Sequence, residues 1–136
     1  MKTFALKVVT PNHEVFNGEA EHVRLPGAEG FFGVWAGHAP LLSILEIGAA
    51  NFRSAGAERT LAITGGYAEV LGDTVTVIAR SAEFVEEIDV ARAEISRKRA
   101  LERLSAHEPG IDGHRAQAAI RRALLRLSLA DIRPRR

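Results

Sequence analysis

The chain has 136 residues, with 18 Lys and Arg against 17 Asp and Glu, and no Cys. That length suits one ordinary domain or two small ones, and the missing Cys excludes both a disulfide framework and thiolate chemistry, in keeping with a cytoplasmic setting. The apolar runs are broken by Glu46, Gly or Pro well short of the ~20 residues of a membrane helix, and Met1–Val9 contains Lys7 and precedes Pro11, unlike a secretory leader, so any membrane association is expected to come through a partner.

Period-two alternation dominates the first module. Phe4, Leu6 and Val8 share one strand face. Val15 follows the turn Thr10-Pro11-Asn12-His13, and Val23 with Leu25, Leu61 with Ile63, and Thr74–Ala79 repeat the pattern. Turn signals fall at Asn17-Gly18, Gly27, Gly37, Ala55-Gly56, Gly65-Gly66 and Gly72-Asp73. This short, regular spacing predicts an antiparallel β-sandwich over residues 1–84 with no helix, which excludes a βαβ nucleotide fold. Gly65-Gly66 lacks the Lys-Ser/Thr of a phosphate-cradling loop, so it reads as a hairpin turn requiring positive φ.

Within this module, Leu25–Leu42 is cut by Pro26, Gly27, Gly30, Gly37 and Pro40 into two tight turns around the apolar strand Phe31–Trp35. Phe31 and Phe32 must point to opposite faces of a strand. Only one face is core, so the other Phe requires a partner surface. His38 has no Ser, Cys or carboxylate beside it and reads as a turn histidine bonded to backbone.

The second module begins where the composition shifts from Glu83 onward to Ala, Arg and Glu, without Gly or Pro until Pro109-Gly110. An antiparallel two-helix hairpin is predicted over residues 85–136, which makes the fold class α+β. Asp89 is the expected N-cap of the first helix, with Glu86 and Glu87 favouring its positive end. Asp112 caps the second. Ala116, Ile120, Ala123, Leu124 and Leu127 form an apolar stripe on the second helix. Val90, Ala93, Leu101 and Leu104 form a weaker one on the first, with Ile95 off it. An alanine-rich seam buries little area, so the hairpin is expected to be marginal and able to open.

Charge also divides the two modules. Residues 1–88 carry 6 Lys/Arg and 11 Asp/Glu, and residues 89–136 carry 12 and 6, so each has its own partners. Arg115, Arg122, Arg126 and Arg133 recur at helical spacing on one helix, and Arg92, Arg99 and Arg103 on the other. A solvated face with pairs such as Glu94–Lys98 and Arg99–Glu102 is the plainer reading. The ridges hold almost no acid, however, so an anion is wanted: a nucleotide, an acidic protein surface or nucleic acid.

The run Leu25–Leu42, with Thr64-Gly65-Gly66-Tyr67-Ala68-Glu69-Val70, Ile88-Asp89-Val90-Ala91-Arg92-Ala93 and Leu127-Ser128-Leu129-Ala130, resembles the epsilon subunit of the bacterial F-type ATP synthase over essentially the whole chain. The resemblance implies a non-catalytic central-stalk subunit, peripheral on the cytoplasmic face of the bacterial plasma membrane. It implies that the sandwich docks the gamma subunit through positions matching Thr10, His38 and Ser43, and the polar loops of the c-ring through Phe31. Relatives resemble Gly-Glu-Leu-Gly where this chain has Gly30-Phe31-Phe32-Gly33, an aromatic contact in place of a charged one.

For the helices, the resemblance implies two arrangements. One is compact; the other is extended, rises into the catalytic alpha and beta subunits and blocks ATP hydrolysis. It also implies that ATP, as a regulatory ligand, binds the compact form through Glu83, Ile88, Asp89, Arg92, Ala93, Arg99, Arg122 and Arg126, leaving open whether Mg²⁺ accompanies it. Two other readings compete. A nucleic-acid binder would need aromatics among its arginines, and none follows Phe84. A hydrolase using His38 lacks a nucleophile or a metal set, since the five histidines have no ligand spacing.

Overall fold

The computed structural model describes residues 2–106, 110 and 112–132. The chain divides into two compact units, Met1–Phe84 and Val85–Arg136.

In the first unit, eight strands follow the chain: β1 (Phe4–Val9), β2 (Glu14–Ala20), β3 (His22–Gly27), β4 (Gly30–Trp35), β5 (Leu41–Ser54), β6 (Ala57–Leu71), β7 (Thr74–Ala79) and β8 (Ala82–Phe84). They hydrogen-bond in the order β2-β1-β7-β6-β5-β3-β4, with β8 also on β6. All pairings are antiparallel except β1 with β7, which is parallel. The long strands β5 and β6 serve both layers of the sandwich. Their Leu41–Leu45 and Gly66–Leu71 halves continue into β7, β1 and β2; their other halves continue into β8 on one side and β3 and β4 on the other. Alternation sends Leu6, Val8, Val75 and Val77 from one layer, and Val23, Leu25, Phe52, Leu61 and Ile63 from the other, into one core. Phe16 on β2 meets Phe52 on β5 with ring centroids 4.6 Å apart, joining the layers.

Two expected turns are strand residues instead. Asn17 and Gly18 lie inside β2, opposite Lys7 and Leu6. Gly65 and Gly66 lie inside β6, where the strand changes partner from β8 to β7. Positive φ is nonetheless required there, at 98° and 137°. A Cβ on Gly66 would stand 2.1 Å from the Ile78 carbonyl oxygen, so only glycine fits this bend. The hairpin signal at Ala55-Gly56 is met as expected, with φ of 51° and 77° between β5 and β6.

The second unit holds a short 3₁₀ turn (Val85–Glu87), α1 (Val90–Ala106) and α2 (Gly113–Ile132), the helices packed on each other. Both expected caps form. Asp89 Oδ1 accepts the Arg92 N–H at 3.0 Å, and Asp112 Oδ1 accepts those of His114 and Arg115 at 2.9 and 3.3 Å. The buried helical positions are Ala93 and Ala100 on α1, and Ala116, Ala123 and Leu129 on α2. Val90, Leu101 and Leu124, expected in the stripes, are exposed. Small side chains seven residues apart let the helices approach closely and turn the larger residues outward. Pro109, read as part of the turn, lies outside the described residues, as does Arg133.

Candidate functional site

A groove of about 560 Å³ in the helical unit is lined by Arg99 and Arg103 of α1, Arg115, Arg122 and Arg126 of α2, and Asp112 at the start of α2. The remaining lining is small: Ser96, Ala100, Gly110, Ala116 and Ala119. Five guanidiniums against one carboxylate make the groove strongly basic, and guanidinium forks are able to pair with phosphate oxygens through two N–H donors at once. Antiparallel packing brings the two basic ridges onto this groove, and the alanine seam leaves room between them. Part of the solvated-face reading is met, since Arg92, Arg99, Arg103 and Arg115 are exposed. Glu94 pairs with Arg97 at 3.3 Å rather than with Lys98, and Arg99 reaches into the groove lining.

Of the residues expected to hold ATP, the groove gathers Arg99, Arg122 and Arg126. Arg92 is exposed in the first turn of α1 and is not part of the lining. Ile88 and Ala93 are buried, and Asp89 is engaged as the cap. Glu83 is half-buried on β8 of the sandwich, opposite Ala62. Arg103 and Arg115 were legible as ridge members by their spacing but not as part of the expected set. They complete the lining.

On the sandwich, the two phenylalanines divide as expected: Phe32 packs against the core and Phe31 is 52% exposed. His38 Nδ1 lies 2.6 Å from the Ala39 carbonyl oxygen, a turn histidine. The Thr10 hydroxyl accepts the N–H groups of Asn12 and His13 at 3.3 Å, and Ser43 Oγ donates to the Ile44 carbonyl at 3.2 Å. Beside Ser43, sequence reasoning missed an apolar face. Ile44, Tyr67, Ile78 and Val9 stand side by side across β5, β6, β7 and β1, with Leu42 and Leu71 nearby. Leu42, Ile44 and Leu71 are each more than 60% exposed. Period-two alternation along β5 and β6 is the signal that sends these residues to the face opposite the core.

Two family models cover nearly the whole chain: the beta-sandwich domain of the ATP synthase delta/epsilon chain over residues 3–85, and its long alpha-helix domain over 86–131. The chain belongs to the ATP synthase delta/epsilon chain family. Among family members, the ATP synthase epsilon chain of Desulforapulum autotrophicum is 47% identical over 94% of this chain and 96% of its own length. That of Syntrophobacter fumaroxidans is 45% identical over 93% and 94%. A chain in the mitochondrial ATP synthase of Euglena gracilis, an OSCP/F1/c-ring assembly, shares the fold with a TM-score of 0.74. Its sequence identity is 20%, and the match covers 96% of this chain and 82% of that one. A family member is thus a subunit of the synthase, and the α+β architecture of sandwich followed by helices is the family's own. No helix among the described residues is long and apolar enough to cross a membrane.

Proposed function

We propose that the chain is the epsilon-type subunit of a bacterial synthase's central stalk, without an active site of its own, and that its helices form an ATP-sensing brake on hydrolysis. The observation that carries the brake is the groove, where five arginines from two helices converge in the closed hairpin. A nucleotide triphosphate bound there ties α1 to α2 through Arg99, Arg122 and Arg126, with Arg103 and Arg115 adding positive charge. Binding the closed form alone stabilises it by RT ln(1 + [L]/Kd), so high ATP holds the hairpin compact. When ATP falls, the helices extend and lay their arginines along acidic surfaces of the catalytic alpha and beta subunits.

Docking belongs to the sandwich. The apolar face around Ile44 and Tyr67, next to Ser43, suits burial against the gamma subunit, in line with the expected contacts at Thr10, His38 and Ser43. Phe31 serves the polar loops of the c-ring. Through these contacts the chain stays on the cytoplasmic face of the membrane. The test is an assembled synthase in which the chain ends after Phe84: ATP hydrolysis should rise, and unchanged hydrolysis would sink the brake.

A further inference from the structure

The outer face of β3, β4 and β5 carries a second groove, of about 650 Å³, outside the helical unit and away from the apolar face of β5, β6, β7 and β1. Register sets its rows. Trp35, His22, Arg53 and Glu58 lie side by side, and the neighbouring row is Gly33, Arg24, Asn51 and Thr60. Trp35 is 61% exposed, and its ring lies over Gly33, where a Cβ would stand 2.7 Å from it. On the other side, the Arg24 guanidinium sits 4.0 Å from the centroid of the exposed Phe31 ring.

The charges of the first row are consumed locally. Glu58 takes His22 at 3.1 Å and Arg53 at 3.5 Å, and Glu21 takes Arg53 at 3.1 Å. Arg24 has no ion-pair partner among the described residues. Its guanidinium lies over the Phe31 ring, and the residue is exposed. Thr60 Oγ1 accepts from Asn51 Nδ2 at 2.9 Å, leaving the hydroxyl proton for an outside acceptor. A partner covering Phe31 and Trp35 would strip water from this cation, which is costly unless the partner supplies the counter-charge.

We infer that this face receives a carboxylate-bearing loop of the ring partner, with the Asp or Glu of that loop seated on Arg24 between Phe31 and Trp35. The inference rests on the reading of Phe31 as the ring contact and adds the chemistry of what meets it. Where relatives resemble Gly-Glu-Leu-Gly, the present chain has Phe31 in place of the Glu, with the Arg24 guanidinium against its ring. With a cation on this side of the contact, the inference places the acid on the partner's side.

Two cross-links in the assembled synthase test this. In an Arg24→Lys variant, a water-soluble carbodiimide activates a touching carboxylate as its O-acylisourea, and the introduced amine attacks the acyl carbon to form an amide, the carbodiimide leaving as its urea. The expected product joins this chain to an Asp or Glu of the ring subunit, mapped by mass spectrometry, and is missing from the wild type. In parallel, benzoylphenylalanine in place of Phe31 is expected to photo-couple to the ring subunit. Photo-coupling without the amide would overturn the carboxylate inference and leave the ring contact standing. Neither product would overturn both.

Discussion

At the residue scale, single atoms decide several positions. Gly66 has the Ile78 carbonyl oxygen where a side chain would begin. Gly66→Ala is therefore expected to destabilise the sandwich severely, seen as a lowered urea midpoint or as failure to fold. Phe52, fully buried between Phe16 and Phe84, should cost about 3–5 kcal/mol on truncation to Ala, read from the same denaturation curve. Asp89 carries two assignments, cap and ATP ligand, and two substitutions separate them. Asp89→Ala removes the cap and is expected to cost about 1 kcal/mol of helix stability, whereas Asp89→Asn retains it. Circular dichroism reads the helix and a binding isotherm reads the nucleotide. Weaker ATP binding in Asp89→Asn with intact helix signal assigns the carboxylate to the ligand, and unchanged binding assigns it to the cap alone.

At the element scale, the helical unit is held by alanines. Ala123 is 1% exposed and Ala100 4%, so neither site has space for a larger side chain. Ala123→Leu should overpack the hairpin by about 1–3 kcal/mol. Hydrogen exchange is expected to quicken in α1 and α2 and to stay unchanged in the strands. Equal exchange throughout would show that the hairpin is not the weak unit. Legibility follows the same physics. Alternation identified the strands and the inward residues because one face of each is core, and Asp89 and Asp112 were legible as caps because the side-chain oxygen of a cap bonds a fixed nearby N–H. The bend at Gly65-Gly66 was not legible, because a glycine pair inside a strand and one in a hairpin read alike until the partner strands are known. The exposure of Leu124 was hidden because stripe counting treats Ala and Leu as equal, while close packing selects the smaller. The arginine ridges were visible from spacing. Their meeting in one groove depended on the hairpin's packing.

At the scale of the whole molecule, the charge split follows the division into two units, and the proposed function gives each its own task. The first unit offers surfaces, apolar around Ile44 and cationic-aromatic around Arg24. The second offers a basic groove lined from both helices, which the proposed function reads as the nucleotide site of the paired arrangement. A ligand that binds one arrangement and not the other shifts the balance in proportion to its concentration, about 2.7 kcal/mol at a hundred times Kd. The isolated chain should accordingly show ATP-dependent slowing of exchange in α1 and α2, with no change in β1 to β8.

The most direct measurement is a calorimetric titration of ATP into the isolated full chain, alongside Arg126→Ala and Arg92→Ala. Saturable binding that Arg126→Ala abolishes would establish the groove as the nucleotide sensor, with the loss in Arg92→Ala showing how far the first turn of α1 takes part. No heat at millimolar ATP, or binding untouched by Arg126→Ala, would contradict the account and leave the arginines to the inhibitory contact alone.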